Sequence, residues 1–375
     1  MFYKRFISAR TPVLSCMALF IALLISVGTS QLVHAASGDG SLVGHLNATD
    51  KNAVSGAEIA ARNVDTGFTR KVKADADGSY RFPYLPVGTY TVEASKDGKS
   101  LGSLDGVPVS LGVATRADLD LGDTTLETVT VVGSRVQNFV DVTSTESATN
   151  VTAEELERLP VERDLMSVAQ LAPGLSKGDS AFGGVSFGGS SVAENSVYIN
   201  GLNVTDFYNR IGFSSVPYAF YKEFQVKTGG YSVEYGRTTG GVINAVTRSG
   251  TNEFEFGAEM VWEPSSAQAS GDNYYSPDST DADTLPQAYR ILQYDEYDRM
   301  NATAYASGPI IKDKLFFFAI YEARNYEPVN TDNTGANFFE AESDEGFWGA
   351  KIDWQISDKH LLELLAFSDE NQKLS

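Results

Sequence analysis

The chain has 375 residues and a formal net charge of −20 at pH 7, from 49 acidic and 29 basic residues. Nucleic-acid binding requires a basic surface, so this balance excludes nucleic acid as a partner. The sequence has one cysteine, Cys16, which lies near its start. A mature protein that loses this segment cannot form disulfides or cysteine-ligated zinc sites.

Residues 1–35 have the pattern of an export signal. Basic residues come first, an apolar run covers 13–27, and Val33-His34-Ala35 offers a small-residue cleavage site. A spanning helix needs roughly 20 apolar residues, which is more than this run provides. We therefore predict a cleaved signal peptide over residues 1–35 rather than a membrane anchor.

Residues 40–121 have the pattern of a small all-β domain. Short alternating runs such as 41–46 are separated by turn residues, which predicts a sandwich of about seven strands. Asp77-Gly78 is a hairpin signal, and Pro86-Val87-Gly88 marks a second turn. The sequence Asp75-Ala76-Asp77-Gly78 lacks the further carboxylates of an EF-hand loop, so we interpret it as a plain turn.

Residues 122–150 are rich in Thr, Ser and Val and have no helical pattern. They contain the β-branched run Glu127-Thr128-Val129-Thr130-Val131-Val132. On the residues alone, two interpretations stay open. The run is either an extended segment that adds itself to the sheet edge of another protein, or one more strand of the preceding sandwich.

The sequence pattern of residues 151–250 predicts a compact α+β region. Thr152 and Glu155 form a capping box at the start of a first helix. A second helix is expected over 163–172, because its apolar residues recur at helical spacing. Its buried face would carry Leu165, Val168, Ala169 and Ala172. The remainder of this region is rich in glycine and strand-like.

Residues 251–375 contain runs with the length of tilted membrane strands. The predicted strands are 252–262, 298–307, 315–324, 346–356 and 360–368. In the first, Phe254, Phe256, Ala258, Met260 and Trp262 alternate with Glu253, Glu255, Gly257 and Glu259. An apolar face opposite a charged face is typical of a transmembrane β-barrel. The run 316–320 is apolar throughout, so its outward face stays undetermined.

The connections between these strands alternate in length. Those at 263–297 and 325–345 are long and polar, whereas 308–314 and 357–359 are short. Outer-membrane barrels have long outer loops and short periplasmic turns, so the alternation favours a barrel over a soluble sandwich.

The order of these parts resembles that of Oar-like TonB-dependent outer-membrane receptors. Residues 77–92 resemble a carboxypeptidase regulatory-like (transthyretin-like) domain. Residues 195–206 and 231–252 resemble the plug domain and its passage into the first barrel strand. The expected fold is mostly β. It comprises a transthyretin-like β-sandwich at 40–121, a linker at 122–150, an α+β plug domain at 151–250 and the first strands of an incomplete transmembrane β-barrel at 251–375.

The resemblance implies a function and a partner for the linker. By this resemblance, Glu127 to Val132 is the TonB box, and TonB of the inner-membrane energising complex is the partner that pairs with it. The protein would lie in the outer membrane, in contact with its lipid, with its N-terminal domains in the periplasm. It would import an unknown extracellular ligand. The family usually has Asp where this chain has Asn200.

The sequence predicts no catalytic residue, no cofactor and no metal site. His45 and His360 are too few and too scattered for a zinc centre. An acidic loop carries Asp272, Asp278, Asp281 and Asp283. We interpret it as a solvated loop rather than a divalent-cation site.

Barrels of this transporter class close with about 22 strands, whereas only five fit here. We therefore expect the chain to be an N-terminal fragment of a longer receptor or a truncated product. Two alternative functions remain at this point: a surface interaction or adhesion protein, and a non-functional truncated product.

Overall fold

The computed structural model describes residues 38–48, 54–121, 146–159, 165–178, 184–206, 214–276, 287–331, 338–340, 346–358 and 360–368. The predicted signal peptide and the predicted TonB box both lie outside these ranges. Within them, no helix has the length and apolar character needed to cross a membrane. All the described residues belong to one compact unit of the chain.

Residues 38–121, which we call the sandwich domain, form two facing sheets. Its strands are β1 (Asp39–Asn47), β2 (Glu58–Asn63), β3 (Thr69–Lys73), β4 (Ser79–Pro86), β5 (Gly88–Lys96), β6 (Lys99–Val109), β7 (Ala114–Arg116) and β8 (Leu119–Asp120). One sheet contains β4, β1, β7 and β8, and the other has the order β3-β2-β5-β6. Tyr90, Val92 and Ala94 of β5 point into the shared core, as the period of two requires.

The hairpin predicted at Asp77-Gly78 is wrong. β3 pairs with β2, whereas β4 pairs with β1, so this turn carries the chain from one sheet to the other. The Asp-Gly hairpin of this domain is instead Asp97-Gly98 between β5 and β6, with φ values of +52° and +77°. Both Asp-Gly pairs favour tight turns, and only the need to bury two apolar faces decides which one pairs neighbouring strands.

Residues 146–250, which we call the central domain, form a mixed sheet with two short helices. Its elements are β9 (Ser147–Thr152), α1 (Ala153–Glu157), α2 (Leu165–Ala169), β10 (Leu175–Lys177), β11 (Val185–Phe187), β12 (Ser196–Ile199), β13 (Leu202–Asn203), β14 (Tyr221–Gly229) and β15 (Val242–Thr247). The main sheet has the order β13-β12-β15-β14-β9. Only the pairing of β12 with β15 is parallel among its described pairs.

α1 begins where the sequence predicts the first helix. The Thr152 hydroxyl accepts from the Glu155 amide, and the Glu155 carboxylate accepts from the Thr152 amide, which confirms the capping box. α2 ends at Ala169, before the predicted end at residue 172. The predicted apolar face is nevertheless buried, at Leu165, Val168, Ala169 and Ala172.

Residues 255–368, which we call the strand wall, form an antiparallel sheet. Its elements are β16 (Glu255–Glu263), β17 (Tyr274–Ser276), β18 (Gln287–Arg290), β19 (Glu296–Ile311), β20 (Leu315–Thr331), β21 (Phe338–Glu340), β22 (Phe347–Ser357) and β23 (His360–Ser368). The wall has the order β16-β19-β20-β22-β23, with β21 on β20, while β17 and β18 form a separate hairpin. Each of the five predicted strands is present.

Two strands extend beyond the predicted lengths. β19 and β20 have 16 and 17 residues, because their pairing continues as far as Glu296 opposite Val329. β17, β18 and β21 fall inside connections that the sequence suggests are loops. The short connections are confirmed, since a three-residue turn joins β19 to β20 and a tight turn follows β22.

The wall has an apolar outer face and a covered inner face. Phe256 is 84% exposed, and Trp262, Trp348 and Trp354 are also exposed on that side. On the inner side Phe316, Phe318 and Ile320 are buried. In the apolar run 316–320, the side chains of these three residues therefore point inward, and those of the two residues between them point outward. The inner face is apolar there because the central domain packs against it.

Candidate functional site

An aromatic cluster joins the central domain to the inner face of the wall. Phe220, just before β14, is fully buried. Its ring centroid lies 5.9 Å from Phe318, 5.5 Å from Phe347 and 6.2 Å from Phe367. Gly349 permits this approach, because an added Cβ there would lie 2.8 Å from the Phe220 ring. Such ring pairs stabilise a contact beyond the area that they bury.

Lys351 of β22 forms a polar contact between the wall and the end of the central domain. Its Nζ donates to Ser249 Oγ at 2.9 Å. The same ammonium lies 2.7 Å from Glu363 and 3.2 Å from Asp353. A buried charge needs such partners, because an unpaired one is costly away from water.

Arg324 of β20 forms a second polar contact with the central domain. Its Nη2 donates to the Ser215 carbonyl oxygen at 2.7 Å. Its Nε lies 2.7 Å from the Glu322 carboxylate, which also accepts from Thr303 Oγ1 at 2.7 Å. The guanidinium of Arg324 is thereby held in one orientation.

The sandwich domain contacts the central domain through a buried polar group. The Leu111 amide donates to Glu223 Oε1 at 3.0 Å, and Asn150 Nδ2 donates to the same oxygen at 2.7 Å. The Leu111 carbonyl accepts from Asn150 at 2.8 Å and from Gln225 Nε2 at 2.6 Å. Burial raises the pKa of Glu223, although the hydrogen bonds that its carboxylate accepts from Asn150 and from the Leu111 amide oppose the rise.

Lys222 and a small apolar cluster complete this contact. Lys222 Nζ donates to the Val87 carbonyl oxygen at 2.8 Å, and burial lowers the pKa of this amine. Val87 and Leu111 of the sandwich domain pack with Val246 of β15. The contact therefore combines apolar burial with satisfied polar groups.

The sandwich domain also contacts the wall and the connection 251–254 that leads into it. The Asn252 amide donates to the Asp65 carbonyl oxygen at 2.9 Å. The Asn252 side chain in turn exchanges two hydrogen bonds with Asp313, at 2.9 Å and 2.8 Å, in the turn between β19 and β20. Gly67 lies against that turn, because an added Cβ would meet the Asp313 carboxylate, with Cγ at 3.1 Å.

A buried ion pair fixes the first described residue of the central domain. Glu146 pairs with Lys227, whose side chain is 4% exposed, and Glu146 Oε1 accepts from the Ser232 amide at 3.1 Å. The Lys227 ammonium lies 4.9 Å from the centroid of the Tyr235 ring. The chain thus enters this domain at a tightly held point.

Asn200 closes the turn after β12 in a left-handed conformation, with φ of +46°. Its Nδ2 donates to Thr247 Oγ1, and its Oδ1 accepts from the Thr247 amide, both at 2.9 Å. Asn adopts such a φ more readily than most residues. The amide therefore joins the end of β15 to this turn in both directions.

The predicted TonB box, Glu127 to Val132, lies outside the described residues, so its predicted role stays a prediction. Of the acidic loop, only Asp272 is described. Within the described part of the chain, no three His, Asp or Glu side chains converge on a possible metal position. In the sequence, Lys351 and Asp353 alternate with apolar residues over 347–356, as charged residues do in the first predicted strand, and this alternation predicts that both point inward. Sequence reasoning missed Phe220 and Glu223, because β14 is buried on both faces and has no informative alternation.

Two family models match the chain. The Carboxypeptidase regulatory-like domain matches residues 41–122, and the TonB-dependent Receptor Plug Domain matches residues 141–242. The TonB-dependent transporter Oar of Myxococcus xanthus is 32% identical over 284 residues, which are 73% of this chain and 25% of Oar. The chain thus spans about a quarter of the length of this curated relative.

Solved structures give weaker likenesses. The siderophore receptor PirA from Acinetobacter baumannii is 18% identical, with a TM-score of 0.41 over 59% of this chain and 31% of that one. The outer membrane transporter YddB from Escherichia coli is 18% identical, with a TM-score of 0.44 over 58% of this chain and 32% of that one.

The sandwich domain is a carboxypeptidase regulatory-like domain, and the central domain is a TonB-dependent receptor plug domain. The chain therefore combines these two domains in sequence, and it is similar to the TonB-dependent transporter Oar over most of its own length. Its fold is mostly β, and the wall is an open antiparallel sheet in the described residues. The family is one of receptors and transporters rather than enzymes.

Proposed function

We propose that the chain functions in a TonB-dependent receptor that imports an unidentified ligand across the bacterial outer membrane. In this proposal, residues 1–35 are the export signal and residues 122–150 are a linker that carries the TonB box. The sandwich domain lies in the periplasm, the central domain blocks the channel, and the outer face of the wall contacts lipid.

The observation that carries this proposal is the packing of the central domain on the inner face of the wall. Phe220, Lys351 and Arg324 hold it there through ring contacts, hydrogen bonds and ion pairs. Every one of these contacts is non-covalent and can open under load and re-form. A plug of this kind can open a channel without any covalent chemistry.

The position of the sandwich domain supports its periplasmic placement. It contacts Asp313, in the short turn between β19 and β20. The tight turn after β22 lies at the same end of the wall, because Leu315 pairs with Trp354. Short turns are periplasmic in outer-membrane barrels. The sandwich domain therefore occupies the side from which TonB acts.

The proposed energy input is a pull on residues 127–132. An extended β-branched segment can pair with the edge of another sheet through backbone hydrogen bonds. Thirteen residues, 133–145, separate this segment from Glu146. Tension from TonB, energised by the proton-motive force, would reach the central domain where Glu146 pairs with Lys227.

A proline substitution tests the TonB box. Strand addition needs backbone donors, and proline has none. Val129→Pro in the native gene should abolish retention of the receptor on immobilised periplasmic TonB domain. The matched variant Val129→Thr keeps a β-branched residue and should be retained like wild type. Equal retention of both variants would contradict the assignment of the box.

A further inference from the structure

The sandwich domain contacts two bodies that the proposed mechanism moves apart, namely the central domain and the wall. We propose that it is an intramolecular clamp, which ties the central domain to the wall and keeps the channel closed until its wall contacts open. This inference rests on the proposed function, in which TonB pulls on the central domain from the periplasmic side and so draws it toward that side.

The contact with the central domain is the stronger of the two. Both backbone groups of Leu111 are satisfied by side chains of the central domain. The partner of its amide, Glu223, is 1% exposed. Separation would leave these groups unpaired until water reached them, and it would expose the apolar cluster of Val87, Leu111 and Val246. The sandwich and central domains are therefore expected to stay together.

The contact with the wall is smaller and more polar. It consists of the approach of Gly67 to Asp313 and of the backbone hydrogen bond from Asn252 to Asp65. Asn252 lies in the connection before the wall and is itself hydrogen-bonded to Asp313. At the same end of the wall, Asp358 adds to the effect of Glu58 in raising the pKa of Lys71, a fully exposed residue. Polar contacts near solvent are weak individually. The wall contact is therefore the one that opens first.

The position of these contacts determines which movement they resist. Asp313 and Asp358 lie in the short turns at the end of the wall that we assign to the periplasm. Displacement of the central domain toward that side must carry the sandwich domain away from both turns. The wall contacts therefore oppose the movement that opens the channel.

Two glycine substitutions separate the wall contact from the fold of the sandwich domain. Gly67 and Gly98 both lie in turns of this domain, with φ of +69° and +77°, so alanine strains the backbone at either position. At Gly67 the new methyl group also meets the Asp313 carboxylate, which Asn252 holds in place. At Gly98 it meets nothing within 4 Å. Gly98→Ala is therefore a matched control for Gly67→Ala.

A disulfide gives the opposite perturbation. The Cβ of a residue at 67 would lie 3.1 Å from the Cγ position of Asp313, which suits a pair of cysteines. Residues 17–375 contain no cysteine, so within this part of the receptor Gly67→Cys with Asp313→Cys introduces a single defined pair. Each single variant controls for the strain at its own position.

The test measures channel opening directly. The purified receptor from its native gene is inserted in a planar bilayer, and potassium current is recorded as urea is raised. We expect Gly67→Ala to open at a urea concentration roughly 0.5 M below that of Gly98→Ala. The oxidised double-cysteine receptor should open at higher urea than the same receptor after reduction.

The outcomes distinguish the clamp from the proposed function. Equal opening midpoints for Gly67→Ala and Gly98→Ala, or for the oxidised and reduced receptor, overturn the clamp. Absence of current in every variant, wild type included, instead contradicts a plugged channel, and the clamp falls with it. Retention on TonB is measured separately with the Val129 variants. If that experiment contradicts the assignment of the TonB box, the result on channel opening is unaffected.

Discussion

Glu223 carries a carboxylate into the contact between the sandwich and central domains. Burial raises its pKa, which means that the ionised form is disfavoured in the folded protein. Asn150 and Leu111 nevertheless donate to Oε1. The acceptor oxygen of Glu223 therefore stabilises the folded protein at this position, whereas the negative charge of the carboxylate destabilises it.

A pH series on Glu223→Gln tests this distinction. Because the folded pKa is raised, wild type loses stability as pH rises from the unfolded value, about 4.3, through the folded value, and then levels off. Glu223→Gln keeps a hydrogen-bond acceptor and does not titrate, so it does not lose stability in this way. The melting temperature of Glu223→Gln minus that of wild type should therefore increase as pH rises from the unfolded to the folded pKa of Glu223. Calorimetry of the purified receptor measures it.

The control for this series is Glu223→Ala, which removes the acceptor. It leaves the Leu111 amide without its partner and should be about 1–3 kcal/mol less stable than Glu223→Gln at any pH, because neither variant titrates at this position. A Glu223→Gln protein whose advantage over wild type stays constant with pH would show that the buried charge is not the source of the effect.

At the scale of elements, β14 is the strand on which the contacts converge. Phe220 at its start packs into the wall, while Glu223 and Gln225 reach the sandwich domain. Lys227 near its end holds Glu146. Alternation along the strand turns Glu223 and Gln225 toward the sandwich domain and Phe224 and Val226 into the core of the central domain.

Removal of the Phe220 ring should loosen the central domain from the wall. Phe220→Ala deletes a fully buried ring, a change that typically costs 3–5 kcal/mol. The population in which this domain is detached should rise by roughly two orders of magnitude, measured as faster protease cleavage within it. Phe256→Ala on the exposed outer face is the control and should leave the cleavage rate unchanged. Equal rates for both variants would contradict the aromatic anchor.

At the scale of the whole molecule, all three tryptophans of the chain lie on the outer face of the wall. They are Trp262, Trp348 and Trp354, and each is about half exposed or more. In the proposed setting this face contacts lipid, where an apolar surface of this size is stable. Their fluorescence therefore reports on the environment of the wall.

Lipid contact predicts quenching from within the bilayer. Brominated lipids should quench the fluorescence of Trp262, Trp348 and Trp354, whereas aqueous iodide should have little effect. The signal of these residues is obtained as the difference between wild type and the Trp262→Phe, Trp348→Phe, Trp354→Phe triple variant. Quenching by iodide alone would show that the outer face is in water.

The sequence by itself determined the elements and their faces. The capping box at Thr152, the apolar face of α2 and the alternation in β16 and β22 are local patterns with a fixed period, so they could be predicted residue by residue. The resemblance in the plug region predicted a TonB-dependent receptor plug domain, and the model of that domain matches residues 141–242.

Only the tertiary structure decided which surfaces meet. Asp77-Gly78 and Asp97-Gly98 are equivalent turn signals, and their roles differ because one turn joins two sheets. The inward side of residues 316–320 was fixed by Phe220, a residue nearly one hundred positions away with no distinctive pattern. The packing of the sandwich domain on Glu223 likewise depends on long-range contacts, and these leave no periodic trace along a single chain.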